Sequence, residues 1–132
     1  MPKDIEQVLE RLISTLEREL DSHDEIDIDV IRKPKSGAQA PQAGDLVRVH
    51  YTGTLLDGTV FDSSIKRKKP FEFRLDRGQV IRGWDMALSR MRVGEWARVT
   101  IPSQYAYGAK GKGPIPPNAT LVFEIRFLAI LR

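Results

Sequence analysis

The sequence predicts an α+β domain, an antiparallel sheet curled around one short helix, with a second, amphipathic helix at the N-terminus. Three observations lead there. From residue 26 onward, short runs alternate apolar and polar side chains at period two, the signature of half-buried strands. Amid those runs, Gln79 to Met91 switches to helical spacing, with Ile81, Trp84, Leu88 and Met91 on one stripe. A lone short helix among strands has only the sheet to bury that stripe against. Residues 3–21 repeat the helical pattern outside the strand region, so we divide the chain into an extension, 1–25, and a domain, 26–132.

In the extension, Ile5, Val8, Leu9, Leu12, Ile13, Leu16 and Leu20 share one face, and Lys3, Glu6, Glu10, Arg11, Glu17 and Arg18 the other. Pro2 stands where a helix start tolerates it. A single helix of this length is marginal in water, so it is expected to dock on its own domain, a second copy or a partner protein. Ile26 to Ile31 alternates as a first strand, and the Pro- and Gly-rich segment 33–44 reads as a loop. Leu46 to Thr52 is a strand with Val47, Val49 and Tyr51 on one face. Leu56-Asp57-Gly58-Thr59 is a hairpin turn signal before a strand from Val60 to Ser64. The basic run 65–70 then interrupts the pattern before Phe71 to Leu75, as a bulge or loop at a sheet edge.

On the central helix, Arg82, Asp85, Ser89, Arg90 and Arg92 are expected on the wet side, Gly83 permits a close approach, and Gly94 reads as the stop. Glu95 to Ile101 turns Ala97, Val99 and Ile101 inward and leaves Trp96 half exposed. Three glycines and four prolines keep 102–118 from continuing that strand. Ala119 to Leu131 closes the sheet with Leu121, Phe123, Ile125 and Phe127 on one face.

A length of 132 residues suits one domain, and 41% apolar content can build its core. No apolar run approaches the roughly 20 residues that span a bilayer. The charged start at Lys3, Asp4 and Glu6 lacks the apolar stretch of a secretory signal. With no cysteine, disulfides and thiolate chemistry are excluded, which is compatible with cytoplasm or nucleus alike; the cytoplasm is the expected location, with the nucleus as the alternative. A net charge of +3 is too small for a general nucleic-acid footprint.

Nothing in the sequence reads as an acid–base or nucleophilic site. His23 and His50 are far apart, and each reads as surface or structural. No metal-ligand spacing, P-loop or dinucleotide fingerprint occurs, so neither metal nor cofactor is expected. Aromatic residues from separate elements point inward instead. Tyr51 and Tyr107 carry hydroxyls that need partners when buried, and Asp62 adjoins Phe61 at a strand end. Apolar walls with a few polar groups describe a small-ligand pocket as well as a core.

The motifs H-Y-T-G (50–53), G-T-V-F-D-S-S (58–64), V-I-R-G-W-D (80–85), Y-A-Y-G (105–108) and I-P-P-N-A-T-L-V-F (115–123) closely resemble the FK506-binding proteins, the FKBP family of peptidyl-prolyl cis/trans isomerases. The resemblance covers about residues 26–132 and implies a five-stranded sheet with an apolar pocket between it and the helix. By position it makes Trp84 the pocket floor, Tyr51, Phe61, Phe71, Val80, Ile81, Tyr107 and Phe123 its walls, and Asp62 and Arg67 its polar rim. Gln79, Ala106 and Ile115 join the ligand-contacting set. The Ile81 N–H and the Tyr107 hydroxyl become the groups that hold a substrate carbonyl. The implied ligands are X–Pro polypeptides and FK506- or rapamycin-like macrolides.

The loop 109–117 departs from the family pattern: it is slightly short, has Pro114 at a commonly aliphatic position, and carries Lys110 and Lys112, which makes this rim basic. A non-catalytic docking module is the second reading. A nucleic-acid-associated isomerase, resting on residues 66–69 and the two loop lysines, is a weaker third.

Overall fold

The protein is described by a computed structural model covering residues 25–131. The helix expected over 3–21, and His23, lie outside the described residues. Along the chain come β1 (Asp27–Arg32), β2 (Leu46–Leu55), β3 (Val60–Ser63), a single helical turn α1 (Ser64–Arg67), β4 (Phe71–Arg74), the helix α2 (Arg82–Arg90), β5 (Trp96–Ile101), a 3-10 turn (Ser103–Tyr105) and β6 (Leu121–Leu131). Among the described residues no helix is long and apolar enough to cross a membrane.

Every strand pairing is antiparallel, in the order β1-β5-β6-β2, with β3 and β4 sharing the outer edge of β2. β3 faces Thr52 to Thr54 and β4 faces Leu46 to Val49. They are two halves of one interrupted edge strand, so the expected five strands appear as six named segments. Alternation does the rest: Val47, Val49, Ala97, Val99, Ile101, Leu121 and Ile125 are fully buried, and Tyr51, Phe123 and Phe127 nearly so. α2 lays Trp84, Ala87 and Leu88 on that surface, with Met91 just beyond its end. A Cβ on Gly83 would stand 2.5 Å from Ile101 Cγ2, so the close approach read from that glycine is made by β5. Trp96 is half-buried on the far face, with the Arg126 guanidinium 4.3 Å from its ring centroid.

Four sequence expectations need correction. The basic run after Ser63 is not a bulge or plain loop; it starts as α1, where the Ser63 hydroxyl accepts from the Lys66 N–H and Lys68 closes the turn in left-handed conformation at φ 55°. Four residues are too few for helical periodicity to register. Asp85 is not on the wet side but buried, and accepts from the Asp76 N–H at 2.9 Å. Gly94 does not stop α2, which ends at Arg90; it sits at φ +91° in the turn into β5, donating to the Phe127 carbonyl. Finally, β2 runs three residues beyond Thr52, and β6 begins at Leu121 rather than Ala119.

The gap between β3 and β4 leaves Tyr51 without a strand partner on that side. The fully buried Ser64 fills it: its Oγ accepts from the Tyr51 N–H at 2.7 Å, donates toward the Tyr51 carbonyl at 3.3 Å, and lies 2.8 Å from His50 Nδ1. A buried orphan N–H costs about 1–3 kcal/mol. Ser64→Ala is therefore expected to lose about that much stability in chemical denaturation.

Burial raises the Asp85 carboxyl above the ordinary carboxylate range, against the backbone hydrogen bonds from Asp76 and Gly78 that lower it. A group raised by folding favours the native state below its unfolded value and costs stability once the pH passes its folded value. Asp85→Asn removes that charge cost. Its stability relative to the parent should accordingly decline as the pH falls from about 7 to about 4, as followed by denaturation at each pH; a rise would contradict the assignment.

Candidate active site

Trp84 is the centre of the site. It sits in the first turn of α2, whose N-cap is Ile81, and is only 4% exposed. Four rings meet the indole edge-on: Tyr51 at 4.7 Å between centroids, Phe123 at 5.3 Å, Phe73 at 5.7 Å and Phe71 at 5.8 Å. Edge-to-face contacts between a ring's positive rim and its neighbour's negative face are favourable beyond the area they bury. Phe61 closes the box against Phe123 at 5.5 Å. The strand glycine Gly53 lets these two rings cross over β2, since a Cβ there would lie 2.7 Å from each.

Above Trp84 opens a cavity of about 250 Å³ lined by Tyr51, Phe61, Asp62, Phe71, Gln79, Val80, Ile81, Trp84, Tyr107 and Phe123. The indole is thus both core plug and pocket floor. Of the other residues assigned to the site, Arg67 stands at the rim, bonded to Asp62 and, through Nη2 at 3.0 Å, to the Tyr51 hydroxyl. Ala106 is half-buried beside Tyr107, and Ile115 is buried in the core beneath its loop; neither lines the cavity.

The polar groups divide into spent and unspent. The Tyr51 hydroxyl donates to Asp62 Oδ2, and Arg67 Nη1 donates to Asp62 Oδ1. Burial first, and then the Asp62 carboxylate, push the Tyr51 phenol above its ordinary value, with Arg67 opposing. Its bonds to Tyr51 and then Asp62 hold the Arg67 guanidinium still more firmly protonated. Bonded through both oxygens, the Asp62 carboxylate clamps the Tyr51 ring and the Arg67 guanidinium together. In contrast, no acceptor among the described residues takes the Ile81 N–H or the Tyr107 hydroxyl. Burial, and less so the charge of Asp62, also raise the Tyr107 phenol, so it is a neutral donor at physiological pH.

The segment that carries Gln79, Val80 and Ile81 is positioned by two side chains. Asp85 holds the Asp76 N–H, and Gln79 Oε1 accepts from the Arg74 N–H at 2.8 Å. Residue-by-residue reading missed Asp85, Ser64 and Gly53 as supports of the site. Gly53 had a signal, because a glycine inside a strand marks a close approach.

Residues 37–128 match the family model for FKBP-type peptidyl-prolyl cis-trans isomerase. The chain belongs to this family. The mouse protein named Peptidyl-prolyl cis-trans isomerase FKBP4 is 54% identical over 103 residues, which cover 77% of this chain and 22% of that relative. FK506-binding protein 1 of Saccharomyces cerevisiae is 53% identical over 98 residues, covering 74% of this chain and 86% of the relative. Its Kluyveromyces lactis counterpart is 54% identical over the same length. The chain therefore spans about a fifth of FKBP4 but most of the yeast proteins' length. The family match contains every cavity-lining residue.

The clamp has a spectroscopic consequence. Asp62→Asn removes the charge that helps to raise both Tyr51 and Tyr107, so two phenols should ionise at lower pH in an alkaline absorbance titration. Adding Tyr51→Phe should remove one of the two changes and leave that of Tyr107, which tells the phenols apart.

Proposed function

We propose that the aromatic cavity binds X–Pro segments of polypeptides and catalyses their cis–trans isomerisation, and that FK506- and rapamycin-like macrolides compete for it. The observation that carries this reading is the pair of unspent donors, the Ile81 N–H and the Tyr107 hydroxyl, beside a largely aromatic cavity whose one carboxylate, Asp62, is already bonded to Tyr51 and Arg67. Rotation about the X–Pro bond makes and breaks no covalent bond. Its barrier of about 18–20 kcal/mol is the loss of amide resonance. The planar amide is charge-separated and the twisted one less so, so aromatic walls in place of water favour the twisted form.

Two fixed donors hold a substrate carbonyl while the proline side turns, which directs binding energy to the transition state. Each 1.36 kcal/mol gained there is tenfold in rate, so a few kcal/mol suffice for about a thousandfold. Asp62, tied to Tyr51 and Arg67, holds the Tyr51 wall in place and offers a polar contact at the rim. Apolar surface from Phe61, Phe71 and Phe123 favours an apolar residue before proline.

NMR exchange spectroscopy on a short X–Pro peptide should show acceleration at micromolar protein, suppressed by a macrolide of this class. Tyr107→Phe, which loses only the donor, should lower kcat/KM about tenfold, the worth of one hydrogen bond. Macrolide binding without any acceleration would put the docking-module reading ahead.

A further inference from the structure

The charge around the cavity mouth is one-sided. Residues 63–70, which follow Asp62, and residues 102–120, which contain Tyr107, hold six of the chain's 21 lysines and arginines and none of its 18 carboxylates. The remainder therefore carries 15 basic against 18 acidic side chains and is net negative. The net positive charge of this protein is carried by the two segments that adjoin Asp62 and contain Tyr107. Asp62 is the one carboxylate lining the cavity, and Arg67 already neutralises it.

These cations are held on fixed backbone. Lys112 and Ile115 exchange backbone hydrogen bonds at 2.9 and 2.8 Å, and the buried Ile115 side chain pins the loop to the core. Gly111 is pressed so closely that a Cβ would lie 2.4 Å from the Ile115 carbonyl oxygen. The Lys112 ammonium stands 5.6 Å from the Tyr107 ring centroid. After Asp62, the exposed Lys66 lies on α1 and the exposed Lys68 and Lys69 directly follow it, on a turn that the buried Ser64 anchors in the core. At the head of α2 Arg82 lies 5.3 Å from the Tyr105 ring. Of these cations Lys112 stands against a cavity-lining ring, Arg82 directly follows the lining residue Ile81, and the lysines of 66–69 follow Asp62 within seven residues.

We propose that this protein prefers X–Pro segments carrying an anionic side chain, carboxylate or phosphate, within a few residues of the proline. The proposal rests on the isomerase reading above and assigns its substrate class. A peptide fits better than a nucleic acid, because the cations frame an apolar cavity on a chain whose net charge is only +3.

The test uses four X–Pro peptides with one apolar residue before proline, differing at a single flanking position: glutamate, phosphoserine, glutamine or lysine. Exchange rates are measured at about 0.01 M and about 1 M salt, where the screening length shrinks from about 30 to about 3 Å. At low salt kcat/KM should rank phosphoserine and glutamate above glutamine, and lysine last. The glutamate-to-glutamine ratio should be about three- to tenfold, since exposed ion pairs contribute a few-fold each. At high salt the ratio should approach unity. Lys110→Ala with Lys112→Ala, and separately Lys66→Ala with Lys69→Ala, should each lower the ratio, with unchanged melting temperature. A response to phosphoserine alone would narrow the class to phosphate. Equal rates for phosphoserine, glutamate and glutamine at low salt, with all peptides accelerated, would overturn the proposal and leave the isomerase reading standing. So would an oligonucleotide that binds with steep salt dependence while the peptides are treated alike. Absence of acceleration for every peptide sinks both.

Discussion

A nine-residue helix can offer a sheet only a narrow contact, and here that contact is the Trp84 indole set among four rings. The rest follows from seating it. Gly83 has no side chain because Ile101 occupies the space, and that brings α2 close enough for Trp84 to reach Tyr51, which β2 delivers from the far side of the core. Once the indole is boxed, its upper face becomes the floor of the cavity. Core packing and the cavity floor therefore share one residue, and both depend on a helix–sheet separation that a single methyl would disturb.

The interrupted edge strand supplies the site's second requirement. Where β3 yields to α1, the backbone of Tyr51 loses its ladder partner, and Ser64 replaces it. The same break sets Asp62 and Arg67 at the mouth, where they fix the other end of the Tyr51 side chain. Tyr51 is thereby held at its backbone by a hydroxyl and at its phenol by an ion pair. A wall fixed at both ends keeps its shape when an apolar ligand displaces water.

The strands were legible because each carries its own evidence: Val47, Val49 and Tyr51, or Leu121, Phe123, Ile125 and Phe127, announce a buried face by alternation alone. The helix was legible through Trp84 and Leu88 for the same reason. Asp85 was not, since a carboxylate on an amphipathic helix reads as solvated, and its partner is a backbone N–H in a turn whose conformation no local pattern announces. Ser64 was illegible because the vacancy it fills arises only when two distant segments pair with one strand. The aromatic site was read mainly through family resemblance. Periodicity says that Phe123 and Phe127 face inward, but not that Phe123 lines a cavity while Phe127 is sealed in the core. The Ile81 N–H was legible only by that route, because an uncommitted backbone donor leaves no trace in side-chain chemistry.

The divided edge of β2 also bears on how such a molecule changes over time. β3 and β4 are each secured by their own register to β2, so the exposed residues between them, beyond the buried Ser64 and apart from Arg67, can change in charge without shifting either ladder. The opposite rim, 109–117, is tied at its own neck by the Asn118 N–H on the Gly108 carbonyl and anchored by Ile115, which leaves its exposed positions, Lys110 among them, open to change. Selection on partner choice can act at these two rims while the sheet, Trp84 and its ring of aromatics stay as they are. The architecture thus keeps two tasks apart: an aromatic box that cannot change without repacking the core, and a collar of exposed side chains that can.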